Sequence, residues 1–222
     1  MNIFSIIGPV MIGPSSSHTA GAVRIGRVCN KIMGNDEPVK VTIELSGSFA
    51  RTYKGHGTDR ALLSGIMGYQ SYSEETRNAL EIAKQRGIDY NFILTDIPGA
   101  HPNTARIHAF GKSGKEYTIC GSSIGGGNIR ITNINGLDVD FTGENNTLLV
   151  FHYDKPGLVA AVTHVLTAKY KDINIGNFKL SRPVKGGEAL MTIELDNSIP
   201  DEVIDEIKCI PNIITAMLIQ AV

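Results

Sequence analysis

The chain has 222 residues, which suits one large or two small domains at roughly 100–200 residues each. Hydrophobic residues make up 42% and charged residues 19%, a balance that supplies a buried core and argues against a disordered chain. The net charge is -1, from 21 basic and 22 acidic residues with no Lys/Arg stripe, so nucleic acid and anionic membrane are poor partners.

Residues 3–12 are apolar, and Ala20-Gly21-Ala22 could imitate a signal cleavage site. No Lys or Arg precedes the apolar stretch and Gly8-Pro9 interrupts it, so the expectation is mature protein in the cytoplasm. No stretch approaches the roughly 18 apolar residues of a membrane span. Ser15-Ser16-Ser17-His18-Thr19 leads into a helix running to about Met33, whose small residues Ala20, Gly21, Ala22 and Gly26 permit close packing. Residues 39–45 alternate as a strand. Gly55-His56-Gly57-Thr58-Asp59 leads into a second helix with Thr58 as its N-cap. Ser73 with Glu74 and Glu75 starts a third helix, stopped near Gly87.

Ile88, Tyr90, Phe92 and Leu94 alternate as a strand. Ala105, Ile107 and Ala109 begin a hairpin that turns at Lys112-Ser113-Gly114, and Asn135-Gly136 marks a hairpin of the two-residue type. The strands cluster too much for a Rossmann-type alternation, so residues 1–143 read as an α+β domain. The polar stretch Thr142-Gly143-Glu144-Asn145-Asn146-Thr147 marks the expected domain break.

Residues 148–153 form a short apolar strand and Asp154-Lys155-Pro156-Gly157 a turn. Leu158, Ala161, Val162, Val165 and Leu166 recur at helical spacing. Residues 173–180 read as a strand, with Ile173, Ile175 and Phe178 roughly in phase. Ala189, Met191, Ile193 and Leu195 alternate as another. Pro200 opens a helix with Asp201 and Glu202 at its positive end, and Val203, Ile207 and Ile210 line its buried face. Residues 213–219 are the last strand. The order βαββαβ is that of a ferredoxin-like fold.

Two segments place a histidine beside a helix start, where unpaired N–H groups hold anions and disfavour imidazolium. Gly13-Pro14-Ser15-Ser16-Ser17-His18-Thr19 offers four hydroxyls, a histidine and no carboxylate, more than a helix cap requires. Lys54-Gly55-His56-Gly57-Thr58-Asp59-Arg60 lets the backbone approach a ligand at the glycines around His56, although a tight turn carrying an exposed histidine reads equally well. His101 could line a cleft, His108 alternates with Arg106 on a solvated strand face, and His152 and His164 are expected to be structural. Ile124-Gly125-Gly126-Gly127-Asn128 runs into a strand without the helix or Lys-Ser/Thr of a P-loop. Cys29, Cys120 and Cys209 are scattered, odd in number and free of C-x-x-C spacing. They could in principle ligate a cluster, but the expectation is three small buried residues.

From Thr147 onward the βαββαβ order with an Asp-Lys-Pro-Gly turn before its first helix resembles an ACT domain. That resemblance implies edge-to-edge self-association and an amino-acid effector site, with Asp154 and Gly157 as candidates. Gly-Pro-Ser-Ser-Ser-His-Thr at 13–19, Gly-His-Gly-Thr-Asp at 55–59, His-Pro-Asn at 101–103 and Ser-Ile-Gly-Gly-Gly at 123–127 precede it in this order. Together they resemble the beta chain of bacterial iron–sulfur L-serine dehydratase, whose N-terminal domain is of the allosteric substrate-binding type. The resemblance implies conversion of L-serine to pyruvate and ammonia, with a [4Fe–4S] cluster held by a separate alpha chain. It also implies His56 as general base and His18 as the substrate-orienting or second acid/base group. Ser15, Ser16, Ser17, Thr19, Thr58 and Asp59 would bind substrate or shape the cleft. A rival reading is a non-catalytic amino-acid-sensing subunit. A serine hydrolase built on His18 is disfavoured, because adjacent residues on one helix start rarely reach nucleophile–base geometry.

Overall fold

The computed structural model describes residues 9–168, 170 and 173–221, so most of the apolar start of the chain lies outside the described residues. The chain divides into two compact units, the first ending at Gly136 and the second beginning at Leu137. The polar stretch 142–147 falls within the second unit. Helices mix with sheets in both, as an α+β reading requires. No helix among the described residues is long and apolar enough to cross a membrane.

In the first unit a π-helical turn, Ser16–Ala20, runs directly into α1 (Gly21–Met33). Then come β1 (Pro38–Ser46), α2 (Gly47–His56), α3 (Thr58–Ile66), a 3-10 turn (Glu74–Asn78), α4 (Ala79–Gln85) and β2 (Asp89–Thr95). β3 (Asn103–Gly111), β4 (Glu116–Gly125) and β5 (Asn128–Ile134) follow. The strands lie in the order β2-β1-β3-β4-β5. β1 and β2 are parallel, with Val41 opposite Tyr90, Ile43 opposite Phe92 and Leu45 opposite Leu94. A parallel pair needs a long crossover, and α2, α3 and α4 supply it. The other pairs are antiparallel.

Helix α1 is amphipathic. Its buried residues Ala22, Val23, Ile25, Gly26, Val28, Cys29, Ile32 and Met33 recur at three- and four-residue intervals. One side lies on β4, where a Cβ at Gly121 would come 3.3 Å from Ile25 Cγ2. The other side meets α3 through two facing glycines. A Cβ at Gly26 would stand 2.3 Å from the Leu62 carbonyl oxygen, and one at Gly65 2.1 Å from that of Val23. Backbone therefore touches backbone at this crossing, and α3 is buried along nearly its whole length. The Asn135-Gly136 turn has φ of 51° and 81°, as a two-residue type I′ turn demands.

The second unit carries β6 (Leu137–Phe141), β7 (Asn146–Tyr153), α5 (Leu158–Ala168), β8 (Ile175–Ser181), β9 (Glu188–Leu195), α6 (Asp201–Lys208) and β10 (Ile213–Ile219). Its antiparallel sheet runs β10-β7-β9-β8, the ferredoxin-like arrangement expected from the βαββαβ order. Leu148, Val150, Leu158, Val162, Met191, Ile193, Val203 and Ile207 build one core. Two expectations are refined. The register shifts between Ile175 and Asn177 on β8, and this bulge puts Ile175 and Phe178 in phase although they stand three positions apart. β9 is buried on both faces, Thr192 and Glu194 included, so its alternation of residue types does not become an alternation of exposure. Cys29 is buried and Cys120 half-buried, but Cys209 is exposed just past the end of α6, against expectation.

Candidate active site

The serine-rich segment caps the helix that follows it. Ser15 is extended (φ -146°), and its Oγ accepts a hydrogen bond from the His18 N–H at 3.2 Å. His18 therefore sits in the first helical turn, at its positive end. Its Nδ1 lies 3.4 Å from the same Ser15 Oγ and its Nε2 3.2 Å from Ser48 Oγ. The Phe49 ring meets it edge-on, centroids 5.2 Å apart.

Ser48 and Phe49 belong to α2, a helix the sequence reading missed. Gly55 and Gly57 around His56 read as a loop before the next helix, and the start of α2 is capped from far along the chain. The N–H groups of Ser48 and Phe49 donate to the Pro102 carbonyl at 2.6 and 3.3 Å. Gly47, at φ 59°, makes this turn against Pro102, where a side chain would collide with backbone.

His56 consequently needs correction. It does not precede a helix in a loop; it is the last residue of α2, and Gly57 in the left-handed region (φ 69°) separates it from α3. The helix-start argument for a neutral His56 therefore fails, since the carbonyls of α2 point toward it. A different contact governs the pair. The His18 and His56 rings lie 4.7 Å apart, centroid to centroid. Two imidazoles at that distance cannot both be charged without strong repulsion. Burial lowers the His18 pKa, the His56 charge lowers it further, and the Ser48 contact opposes both.

Backbone contacts lock the two segments. Thr19 Oγ1 donates to the His56 carbonyl at 3.3 Å. Among the described residues, the buried His56 Nδ1 has no hydrogen-bond partner. Thr58 is not the N-cap, because Gly57 occupies that position; its side chain is fully buried and its hydroxyl has no partner among the described residues. Asp59 is 7% exposed, and burial pushes its carboxyl above the usual range. The Arg60 N–H at 2.8 Å and the Arg60 guanidinium at 3.9 Å oppose that shift. A cavity of about 210 Å³ opens beside His56, lined also by Gly13, Pro14, Thr19, Arg60 and Arg77.

The other expected positions lie as follows. Ser16 and Ser17 are half-buried in the π-helical turn. His101 is exposed and its Nδ1 accepts from the Asn103 N–H at 3.1 Å. His108 Nε2 lies 3.3 Å from Glu44 Oε1, beside the Arg106–Glu44 pair. His152 is buried against the Tyr153 carbonyl, and His164 is exposed on α5. The triglycine at 125–127 joins β4 to β5. In the second unit, the Asp154 carboxylate accepts from the Gly186 N–H at 3.0 Å and from Arg182 at 2.6 Å, and both hold it below the usual carboxylate range. Gly157 has φ 88°.

Comparison with known proteins shows the family. The chain matches the serine dehydratase beta chain family over residues 1–95. It is 47% identical to the probable L-serine dehydratase beta chain of Bacillus subtilis (strain 168), over 96% of this chain and 95% of that protein. The chain belongs to the serine dehydratase beta-chain family. The L-serine dehydratase beta chain of Peptoniphilus asaccharolyticus is 37% identical over 98% of this family member and 97% of its own length. D-3-phosphoglycerate dehydrogenase of Bacillus subtilis (strain 168) is 30% identical over 89% of this chain but only 37% of that enzyme. Among solved structures, the ACT domain from GTP pyrophosphokinase of Chlorobium tepidum is similar at 20% identity, covering 33% of this chain and 94% of that domain, with a TM-score of 0.25.

The lowered His18 pKa has a consequence for stability. The unfolded chain, with an ordinary histidine near 6.5, binds more protons than the folded one below that pH, so stability rises with pH through this window and is lost as pH falls. The Tm of the full chain is expected to drop between neutral pH and about pH 5. His18→Asn should flatten that slope. An unchanged slope in thermal melts would mean that His18 does not carry the effect.

Proposed function

We propose that this chain is the catalytic-site-bearing beta subunit of an iron–sulfur L-serine dehydratase, converting L-serine to pyruvate and ammonia together with an alpha chain. The observation that carries the reading is the imidazole pair at 4.7 Å, with His56 lining a cavity and its buried Nδ1 unpartnered among the described residues. A neutral imidazole nitrogen with no competing donor is what removal of the serine α-proton needs. His56 is the base. His18, tethered to Ser15 and Ser48, orients substrate or exchanges the second proton. Loss of the α-proton and of the β-hydroxyl as water leaves aminoacrylate, which hydrolyses to pyruvate and ammonia.

Ser15 and Thr19 are already engaged with His18 and His56, so they shape the cleft. Ser16, Ser17 and the buried Thr58 hydroxyl remain for substrate, and Asp59, engaged with Arg60 through one carboxyl oxygen, shapes the site beside them. Among the described residues no group of three or more His, Cys, Asp or Glu is placed to hold a metal ion. Burial pushes the Cys29 thiol up to about 12, the opposite of a ligating thiolate. We therefore assign the [4Fe–4S] ligands to the alpha chain. The second unit supplies self-association and effector binding near Asp154 and Gly157, where an effector would have to compete with Arg182 for the carboxylate.

The sensor reading is favoured by one finding, the match to a minor part of a dehydrogenase. Reconstitution separates the two. This chain mixed with an iron-loaded alpha chain should release pyruvate in the presence of L-serine, while neither chain alone does. Full turnover by the alpha chain without this chain would make this subunit a regulator only.

A further inference from the structure

Substrate recognition needs a counter-charge for the amino-acid carboxylate, and the serine-rich loop has no cation. The cavity beside His56 has two. Arg60 folds back over the His56–Gly57 junction, so that a Cβ at Gly57 would lie 3.4 Å from Arg60 Nη2. Arg77, on the 3-10 turn, lines the same cavity and has no ion pair or hydrogen bond among the described residues. Asp59 is the acidic partner there, 3.9 Å from Arg60 Nε, so one guanidinium is left uncompensated. The cavity volume of about 210 Å³ corresponds to roughly seven water volumes, enough for a small amino acid.

We infer that this cavity is a carboxylate pocket, in which Arg60 and Arg77 grip the α-carboxylate and so present the α-hydrogen to His56. The inference rests on the reading of His56 as base and adds the specificity determinants to it. A forked guanidinium matches a carboxylate with two parallel hydrogen bonds, whereas an ammonium offers a point charge. Sequence reading passed over both arginines, because Arg60 closes the Gly-His-Gly-Thr-Asp motif and Arg77 lies 17 residues later.

The test uses the reconstituted alpha–beta complex with L-serine and L-serinamide, whose uncharged amide replaces the carboxylate. Arg60→Gln should raise KM for L-serine about 10- to 100-fold with kcat little changed, the usual worth of a charge-assisted hydrogen bond. Its preference for L-serine over L-serinamide should collapse. Arg60→Lys, which keeps the positive charge beside Asp59, should fall in between. Arg77→Gln, which leaves the Asp59–Arg60 pair intact, should also raise KM. Unchanged KM in both glutamine variants, or retained discrimination against L-serinamide, would overturn the inference. So would inorganic phosphate competing at concentrations below those of L-serine, since the pocket would then serve a phosphate. If the arginine variants behave as wild type while His56→Ala loses turnover, the pocket assignment fails and the base assignment survives. If His56→Ala keeps full turnover, the base assignment fails first.

Discussion

His56→Ala in the reconstituted complex should lower kcat by about 10²–10⁴, the range that general acid–base catalysis supplies. The variant should fold, because what ties His56 to the serine-rich segment is its backbone carbonyl, which accepts from Thr19 Oγ1 and survives loss of the ring. The deleted group is one whose Nδ1 no atom of the described residues satisfies, so removal leaves no new orphan among them. His18→Ala should cost less. It removes a ring held by Ser15, Ser48 and Phe49, and its loss should show in both kcat and KM. Steady-state kinetics with Tm measured alongside decides the matter: wild-type turnover by a folded His56→Ala complex would remove His56 from the chemistry.

The second large effect lies away from any reacting atom. Gly65→Ala places a methyl group 2.1 Å from the Val23 carbonyl oxygen, and Gly26→Ala one 2.3 Å from that of Leu62. These are backbone atoms and cannot rotate aside, so α1 and α3 must separate. Overpacking of this kind costs about 1–3 kcal/mol, sometimes more. At about 3 °C per kcal/mol for a chain of this size, the Tm should fall by about 3–9 °C. Activity should fall too. α1 carries His18 just ahead of its start, and α3 begins two residues after His56, so their crossing sets the ring separation. Gly55→Ala is the control. No atom of the described residues lies within 4 Å of a Cβ there and the residue is helical, so it should be neutral or slightly stabilising. A Gly65→Ala protein that melts like wild type would refute the backbone contact.

Much of the fold was legible in the residues. The second unit follows from turn chemistry at Asp154–Gly157, helical spacing after Leu158 and strand patterns on both sides. Each of these signals is local; periodicity could place neither the bulge at Ile175 nor the burial of β9 on both faces. The two motif segments and their histidines were legible for the same reason: glycine and serine clusters announce themselves over a few residues.

Order along the chain determined the family, most of the elements and which imidazoles to watch. Tertiary structure alone decided that α2 exists, since its first N–H groups are satisfied by Pro102, more than fifty residues downstream. It also decided that His56 ends a helix, and that Arg60 and Arg77 share a cavity with it. Helix caps, close glycine crossings and ring-to-ring distances depend on partners remote in sequence. No window of neighbouring residues contains both halves of such a contact.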